Sequence, residues 1–442
     1  MESKFTNIHV HVFNTECAPE NFLRIIKSPV LQIIPRQIKW LLDQKAVRWS
    51  IWQLHAGLKF LSKKYKKKWS GLIKYIAFLN VGTKKTQYDI FSMALKVVQK
   101  EDGDGQLVAL TLDMDYMDNV GAKPKKQLEA QLEEVKNIKR FHPDHFFPFL
   151  GIDPRARSGQ SLVDWSKNYL EFGVQSHATK KYYPFFCGLK MYPALGFFPF
   201  DPRLDAIYAY AEKNGIPIMT HCTRGGSQYV GNNIETLIPK SGIVPMIDPS
   251  GSDGFNAAKF KEAKSEIEER IKRYHRKGWV KNSRIGNNFE ACDLFGHPQN
   301  YIPVMMKYPK LKICLAHMGG SDEMVKDPTP EQTELWNEID GKNWAVYSRE
   351  LMTEYDHLYT DMSYSLYELS NEYVKQFMID WCNKTDHNEA PLSNRILFGT
   401  DFYMTEREMK EPELYALAKE HLDQWYQQIA TTNISSFLAP KP

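Results

Sequence analysis

NIHVHVF, residues 7–13, sets two histidines one residue apart in a short run of β-branched and aromatic side chains. Side chains alternate faces along a strand, so His9 and His11 point to one side and Val10 and Val12 to the other. Two imidazoles so arranged can close on one metal ion. An isolated pair of this kind is more often two half-buried histidines bonded to backbone, so the rest of the chain has to decide.

Outward from that run, the same kind of segment recurs: a short apolar, β-rich stretch that ends in polar residues and is followed by a helical pattern. The others are LVALTLDMD (107–115), FFPFLGID (146–153), FFCGLKMY (185–192), IPIMTHCT (216–223), LKICLAHMGG (311–320), HLYTDMSYS (357–365) and RILFGTDFY (395–403). Helix-like segments such as KKQLEAQLEEVKNIKRF (125–141) and DPRLDAIYAYAEKNG (201–215) lie between them. The second opens on Asp-Pro and closes on Gly215, which suits a helix start and a helix end. Strands alternating with helices imply a parallel sheet, and eight such units imply an α/β protein with a (β/α)8 TIM barrel, one domain over residues 1–442.

The spacing is uneven. Residues 17–105, 224–293 and 321–352 are too long for simple links, and they follow the C-terminal ends of strands, where barrel enzymes build their mouths. They read as helical cap insertions over that mouth. Within the first, residues 36–85 hold thirteen Lys or Arg against the single acid Asp43, with Trp40, Trp49, Trp52 and Trp69 interspersed. Basic and aromatic residues together suit nucleic acid or a membrane surface, but an amphipathic cap helix with a solvated lysine face explains them as well and is the reading adopted.

Composition narrows the class. Of 442 residues, 43% are hydrophobic and 25% charged, which fits a core-forming protein rather than a disordered one. The net charge of +4 is small for this length and implies no acidic partner. No apolar run is long enough to cross a bilayer, and MESKFTNIHVHV enters the first strand without the core of a signal peptide. The six cysteines (17, 187, 222, 292, 314 and 382) are scattered without CxxC spacing and read as reduced core thiols, so a cytoplasmic location is expected. The expected partner is a small-molecule substrate, with neither nucleic acid nor membrane; association into a homo-oligomer stays open.

With the strands placed this way, His9 and His11 on the first, Lys190 on the fourth, His221 on the fifth, His317 on the sixth and Asp401 on the eighth all fall at or near one end. The fold brings those ends together whatever their distance in sequence. Imidazole and carboxylate are the ligands for Zn²⁺ and similar ions, and a catalytic site leaves one position for water. Near the same rim, Arg224 in THCTRGG and Arg155 in GIDPRAR are candidates to hold a substrate carboxylate. Tyr192 and Tyr403 follow Lys190 and Asp401 by two residues and should face the same side. Asp361 on the seventh strand is a candidate to orient a ligand histidine, and His297 in GHPQNY reads as structural or as part of the site.

The stretches NIHVHVF, GLKMYP, IMTHCT, YPKLKICLAHMGG and ILFGTDFY, with a closing TNISSFL, resemble the amidohydrolase superfamily of metal-dependent hydrolases, in its amidohydrolase-2 subgroup. The resemblance spans nearly the whole chain apart from the three insertions. It implies that His9, His11, His221 and Asp401 hold a catalytic metal, while His317 either binds a second ion or shuttles a proton. KMYPA (190–194) also resembles a segment of dihydroorotase, whose lysine is carboxylated. Lys190 therefore either bridges two ions as a carbamate or, beside a single ion, faces an anionic group of the substrate.

The implied cofactor is one or two divalent ions, Zn²⁺ first, with Mn²⁺ or Fe²⁺ as alternatives. The implied reaction is hydrolysis of an amide, lactone or ester bond in a small, carboxylated substrate by metal-activated water, with Asp401 and His317 catalytic. Zinc-dependent non-oxidative decarboxylation is the alternative from the same subgroup. The decarboxylases, on this resemblance, lack a fourth-strand lysine such as Lys190.

Overall fold

Eight short strands pair in parallel in the order in which the chain makes them: β1 (Thr6–Val10), β2 (Gln106–Leu110), β3 (Phe146–Ile152), β4 (Gly188–Met191), β5 (Ile218–Thr220), β6 (Ile313–Leu315), β7 (Leu358–Asp361) and β8 (Ile396–Leu397). The computed structural model describes residues 4–22, 78–231, 234–238, 243–277, 288–324 and 343–439. Every residue of β1, β4, β5, β6, β7 and β8 is buried, as expected where one face fills the barrel and the other is covered by helices. The seam between the last strand and the first is closed by backbone bonds from the Ile8 N–H to the Phe398 carbonyl (2.9 Å), from the Asp401 N–H to the His9 carbonyl (2.9 Å), and from the His11 N–H to the Phe402 carbonyl (2.5 Å). The molecule is the eight-stranded TIM barrel that the sequence pattern implies.

The strands are shorter than the apolar runs that announce them. The run 311–320 gives only Ile313–Leu315 to the sheet, because His317, Met318 and Gly319 then adopt left-handed backbone (φ +72°, +52° and +80°) and turn the chain across the barrel end. The run 395–403 gives only Ile396–Leu397, and Asp401 is again left-handed (φ +62°).

Helices follow the strands in register with their polar signals. α1 (Gln87–Glu101) starts at a reciprocal Thr86–Asp89 capping box, α2 spans Leu128–Phe141, α3 spans Gly159–Leu170, and α4 (Asp205–Asn214) ends on Gly215 at φ +68°. Between α3 and β4 a small antiparallel hairpin pairs Gly173–Gln175 with Tyr182–Pro184. Later come α5 (Ala257–Lys277), α6 (Asn288–Gly296), α7 (Ile302–Lys307), α8 (Trp344–Glu354), α9 (Glu372–Asn383), α10 (Glu411–Ala430) and α11 (Thr432–Leu438). Asn433 on α11 donates to the carbonyls of Ser393 and Ile396, both at 2.7 Å, and so ties the closing helix to the start of β8.

Of the expected insertions, residues 23–77, most of the basic, tryptophan-bearing segment, lie outside the described residues, as do 278–287 and 325–342. In the second insertion, the buried Arg270 of α5 donates to Gln299 and Asn300 and fixes that helix against the turn at 298–301. The six cysteines are free thiols; Cys187 is half-buried and the others are buried. Among the described residues, no helix is long and apolar enough to cross a membrane.

Candidate metal centre

The strand ends bring together residues from across the chain. His9 lies within β1 and His11 one residue beyond it; Lys190 lies within β4; His221 is one residue beyond β5 and His317 two beyond β6; Asp361 ends β7 and Asp401 follows β8 by four. All seven are buried.

The hydrogen bonds of the histidines fix which ring nitrogen carries the proton. His9 Nδ1 lies 2.9 Å from a carboxylate oxygen of Asp361, and His11 Nδ1 lies 3.2 Å from the Leu110 carbonyl. His221 Nε2 lies 2.7 Å from the Gly225 carbonyl, and His317 Nδ1 lies 3.1 Å from the Ser363 carbonyl. Carbonyls and carboxylates only accept, so each of these nitrogens is the N–H donor of its ring. The opposite nitrogen of each ring is then a bare lone pair, and these point inward. His9 Nε2 and His11 Nε2 stand 3.6 and 3.2 Å from one oxygen of Asp401. His221 Nδ1 and His317 Nε2 stand 3.0 Å apart, two lone pairs aimed at each other. In these tautomers the contact is relieved when a metal ion takes up one of the two lone pairs.

Two further observations bear on a metal. His9, His11 and Asp401 offer donor atoms that all lie within 4.8 Å of one another, as do His9, His317 and Asp361. His9 Nε2 and Asp401 Oδ1 are buried and, among the described residues, have no hydrogen-bond partner. Asp361 is differently placed. One of its oxygens accepts from the N–H groups of His317 (3.2 Å) and Ser363 (2.9 Å) and from the Ser363 hydroxyl, and the other accepts from His9. Asp361 is therefore saturated as an orienting group, whereas Asp401 has an oxygen to give. The first set, bare imidazole nitrogens around an unpartnered carboxylate oxygen, fits a divalent cation. His221 belongs to neither group of three; its bare nitrogen faces His317.

Burial, with the nearby Lys190 charge next, holds His9 and His221 well below the ordinary histidine range, and burial followed by the neighbouring His221 does the same for His317. These rings are neutral near pH 7, the form in which imidazole binds metal. Lys190 is itself pushed down to about 8 by burial, against the opposing pull of Asp361 and Asp401. Its ammonium nitrogen is buried without a hydrogen-bond partner among the described residues.

The residues expected to bind substrate are held in various ways. Tyr192 stacks on His221 (ring centroids 4.1 Å apart), and its hydroxyl lies 3.2 Å from His221 Nε2 and accepts from the Ser227 N–H at 2.9 Å. Tyr403 is buried and donates to the Phe13 carbonyl at 2.9 Å. Arg224 is buried between Asp293 and Glu323, over the ring of Trp344. Arg155 grips Asp153 through Nε and Nη2 and lies near the rings of Tyr116 and Phe197. His297 accepts from the Gln299 N–H and packs edge-on against Trp344. Sequence reasoning missed Ser363, whose hydroxyl stands 2.9 Å from His9 Nδ1 and 2.8 Å from His317 Nδ1. The one available signal was its position two residues after Asp361, on the same strand-end run.

The family model described as Amidohydrolase (Amidohydro_2) matches residues 178–438. No curated protein matches the chain. Among solved structures, the chain is similar to 5-carboxyvanillate decarboxylase from Novosphingobium aromaticivorans, complexed with manganese and 4-hydroxy-3-methoxy-5-nitrobenzoic acid (12% identity, 99% of this chain and 96% of that one, TM-score 0.43). It is also similar to an amidohydrolase from Burkholderia multivorans with bound zinc (10% identity, 79% and 88%, TM-score 0.40). A third is an uncharacterised TIM-barrel protein from Bordetella bronchiseptica (14% identity, 83% and 89%, TM-score 0.40).

Proposed function

The chain belongs to the amidohydrolase family, in its amidohydrolase-2 subgroup, and from that premise we propose that it is a metal-dependent hydrolase of a small, carboxylated amide, lactone or ester. The observation that carries the reading is the orientation of four imidazoles: each is held by one nitrogen on a protein oxygen and turns the other, bare, toward the strand-end cluster. His9, His11 and Asp401 would hold the ion, with His221 and His317 completing the donor set. Imidazole and carboxylate favour Zn²⁺, with Mn²⁺ and Fe²⁺ as alternatives. When bound, such an ion supplies Lewis acidity and a water that ionises near neutral pH.

The chain's own groups then have distinct tasks. Asp401 accepts the proton from the attacking water and returns it to the leaving group. Its left-handed backbone (φ +62°) is bonded to the His9 carbonyl through its own N–H, which sets the carboxylate against both β1 histidines. Asp361 and Ser363 keep His9 and His317 in one tautomer. Lys190, buried and pushed down to about 8, still carries its charge at neutral pH and meets a substrate carboxylate or the developing oxyanion with it. Arg224, engaged by two carboxylates, leaves that role to Lys190.

The test is a substrate panel run on zinc-loaded protein in ¹⁸O-labelled water. Hydrolysis of lactones, cyclic amides or esters incorporates the label into the carboxylate product. Carbon dioxide released from an aromatic acid, with a solvent hydrogen but no ¹⁸O in the aromatic product, would replace hydrolysis by non-oxidative decarboxylation at the same centre.

A further inference from the structure

β8 gives only Ile396 and Leu397 to the sheet, yet Asp401, four residues later, must meet His9 and His11 across the seam. Asn7, two residues before His9, spans this gap with its side chain. Its carbonyl oxygen accepts from the N–H groups of His9 (3.1 Å) and Thr400 (3.2 Å). Its amide nitrogen faces the Thr400 hydroxyl at 2.7 Å and Glu411 Oε1 and the Tyr415 hydroxyl at 3.1 Å each. The Thr400 hydroxyl donates to the same Glu411 oxygen at 2.6 Å. All four residues are buried.

Two features show that this network bears on His9 and Asp401. A Cβ at Gly399 would lie 2.8 Å from the Cβ of His9, so residue 399 must press its bare backbone against β1. Asp401 takes a left-handed conformation that is unfavourable for a non-glycine residue and persists where the surroundings hold it. The immediately preceding residue is the one anchored by Asn7 through its N–H and by Glu411 through its hydroxyl.

We propose that Asn7, Thr400 and Glu411 are positioning residues of the metal centre, which set the separation of His9 and Asp401 from behind the barrel seam. This rests on the metal-centre reading above. Only one oxygen of Glu411 takes part in the network, and the other is buried without a partner among the described residues. Burial pushes this carboxyl up to about 8, so a neutral amide of the same shape can replace it.

The experiment is Co²⁺ binding to the chelator-treated full chain, measured by competition with a chromophoric chelator and by the visible spectrum of the bound ion. Thermal unfolding run in parallel reports whether each variant is folded. Thr400→Val and Glu411→Ala should weaken binding by about 10- to 100-fold and alter the spectrum, while Glu411→Gln should retain both within about threefold. Thr400→Val removes one hydroxyl at constant shape, so it decides the matter if Glu411→Ala does not fold. Wild-type affinity and spectrum in folded Thr400→Val overturn the inference. Equal weakening in Glu411→Gln and Glu411→Ala with an unchanged spectrum also overturns it. A wild-type protein that binds no Co²⁺ overturns the metal reading and this inference with it, whereas failure of the seam alone leaves wild-type binding intact.

Discussion

Asp361 accepts from His9, from two backbone N–H groups and from the Ser363 hydroxyl, and this saturation suits it to orient ligands of the proposed metal centre. Asp361→Asn can keep the shape but not four accepted bonds, and it can present an N–H where the His9 ring needs an acceptor. Metal affinity should fall by about 10- to 100-fold, as measured by chelator competition; unchanged affinity would sink the assigned role. Glu411 gives a second prediction at this scale, in pH. Its carboxyl rises from 4.5 to about 8 on folding, so the folded state holds a proton that the unfolded state releases between those values. Its contribution to stability is present below about 4.5 and is lost as pH rises toward about 8. Urea unfolding of metal-free wild type against Glu411→Gln should diverge in the variant's favour across that window; parallel profiles would show that Glu411 is ionised throughout. The chemistry of single residues was partly legible from sequence. His9 and His11 could be found by spacing, and Asp361 by its place at a strand end. Ser363 had only its place two residues after Asp361 to mark it, and one serine in a polar run is too common for that to single it out.

At the scale of elements, the eight apolar runs identified the strands but overstated their lengths. Hydrophobicity reports burial, and the loops that follow β6 and β8 are as buried as the strands while their backbone turns away at His317 and Asp401. The same limit applies to side-chain partners. Arg224 sits at a strand end with the geometry of a carboxylate binder, but its partners are 69 and 99 residues distant, on α6 and just after β6. Nothing in the local sequence announces them. Through Asp293 and Glu323 it fastens together the loops that follow β5 and β6, and Gly225, the next residue, carries the carbonyl that orients His221. Arg224→Met would leave two buried carboxylates without their cation, at a cost of about 3–5 kcal/mol in stability. Urea unfolding checks this value. A raised KM with stability intact would instead return Arg224 to the substrate.

At the scale of the whole molecule, the centre was legible because a closed barrel forces its strand ends together: residues as far apart as His9 and Asp401 need no local signal beyond their position on a strand. The same closure makes metal binding and folding separable. The core that holds the barrel is apolar and continuous around the strands, whereas the inward nitrogens of the four histidines add nothing to it until a cation joins them. An ion that binds only the folded chain adds stability by mass action, about 2.7 kcal/mol at a hundredfold excess over its dissociation constant. Chelator-treated wild type should therefore remain folded but melt at a lower temperature, and added Zn²⁺ should restore the loss. His11→Ala combined with Asp401→Ala should also fold as a barrel, with a melting temperature indifferent to zinc, because it lacks both the imidazole and the carboxylate oxygen that His9 Nε2 faces. A double variant that zinc stabilises as strongly as wild type would move the ion to the other group of donors, around His317 and Asp361. A wild-type chain that unfolds outright on chelation would show that the centre supports the fold as well as the chemistry.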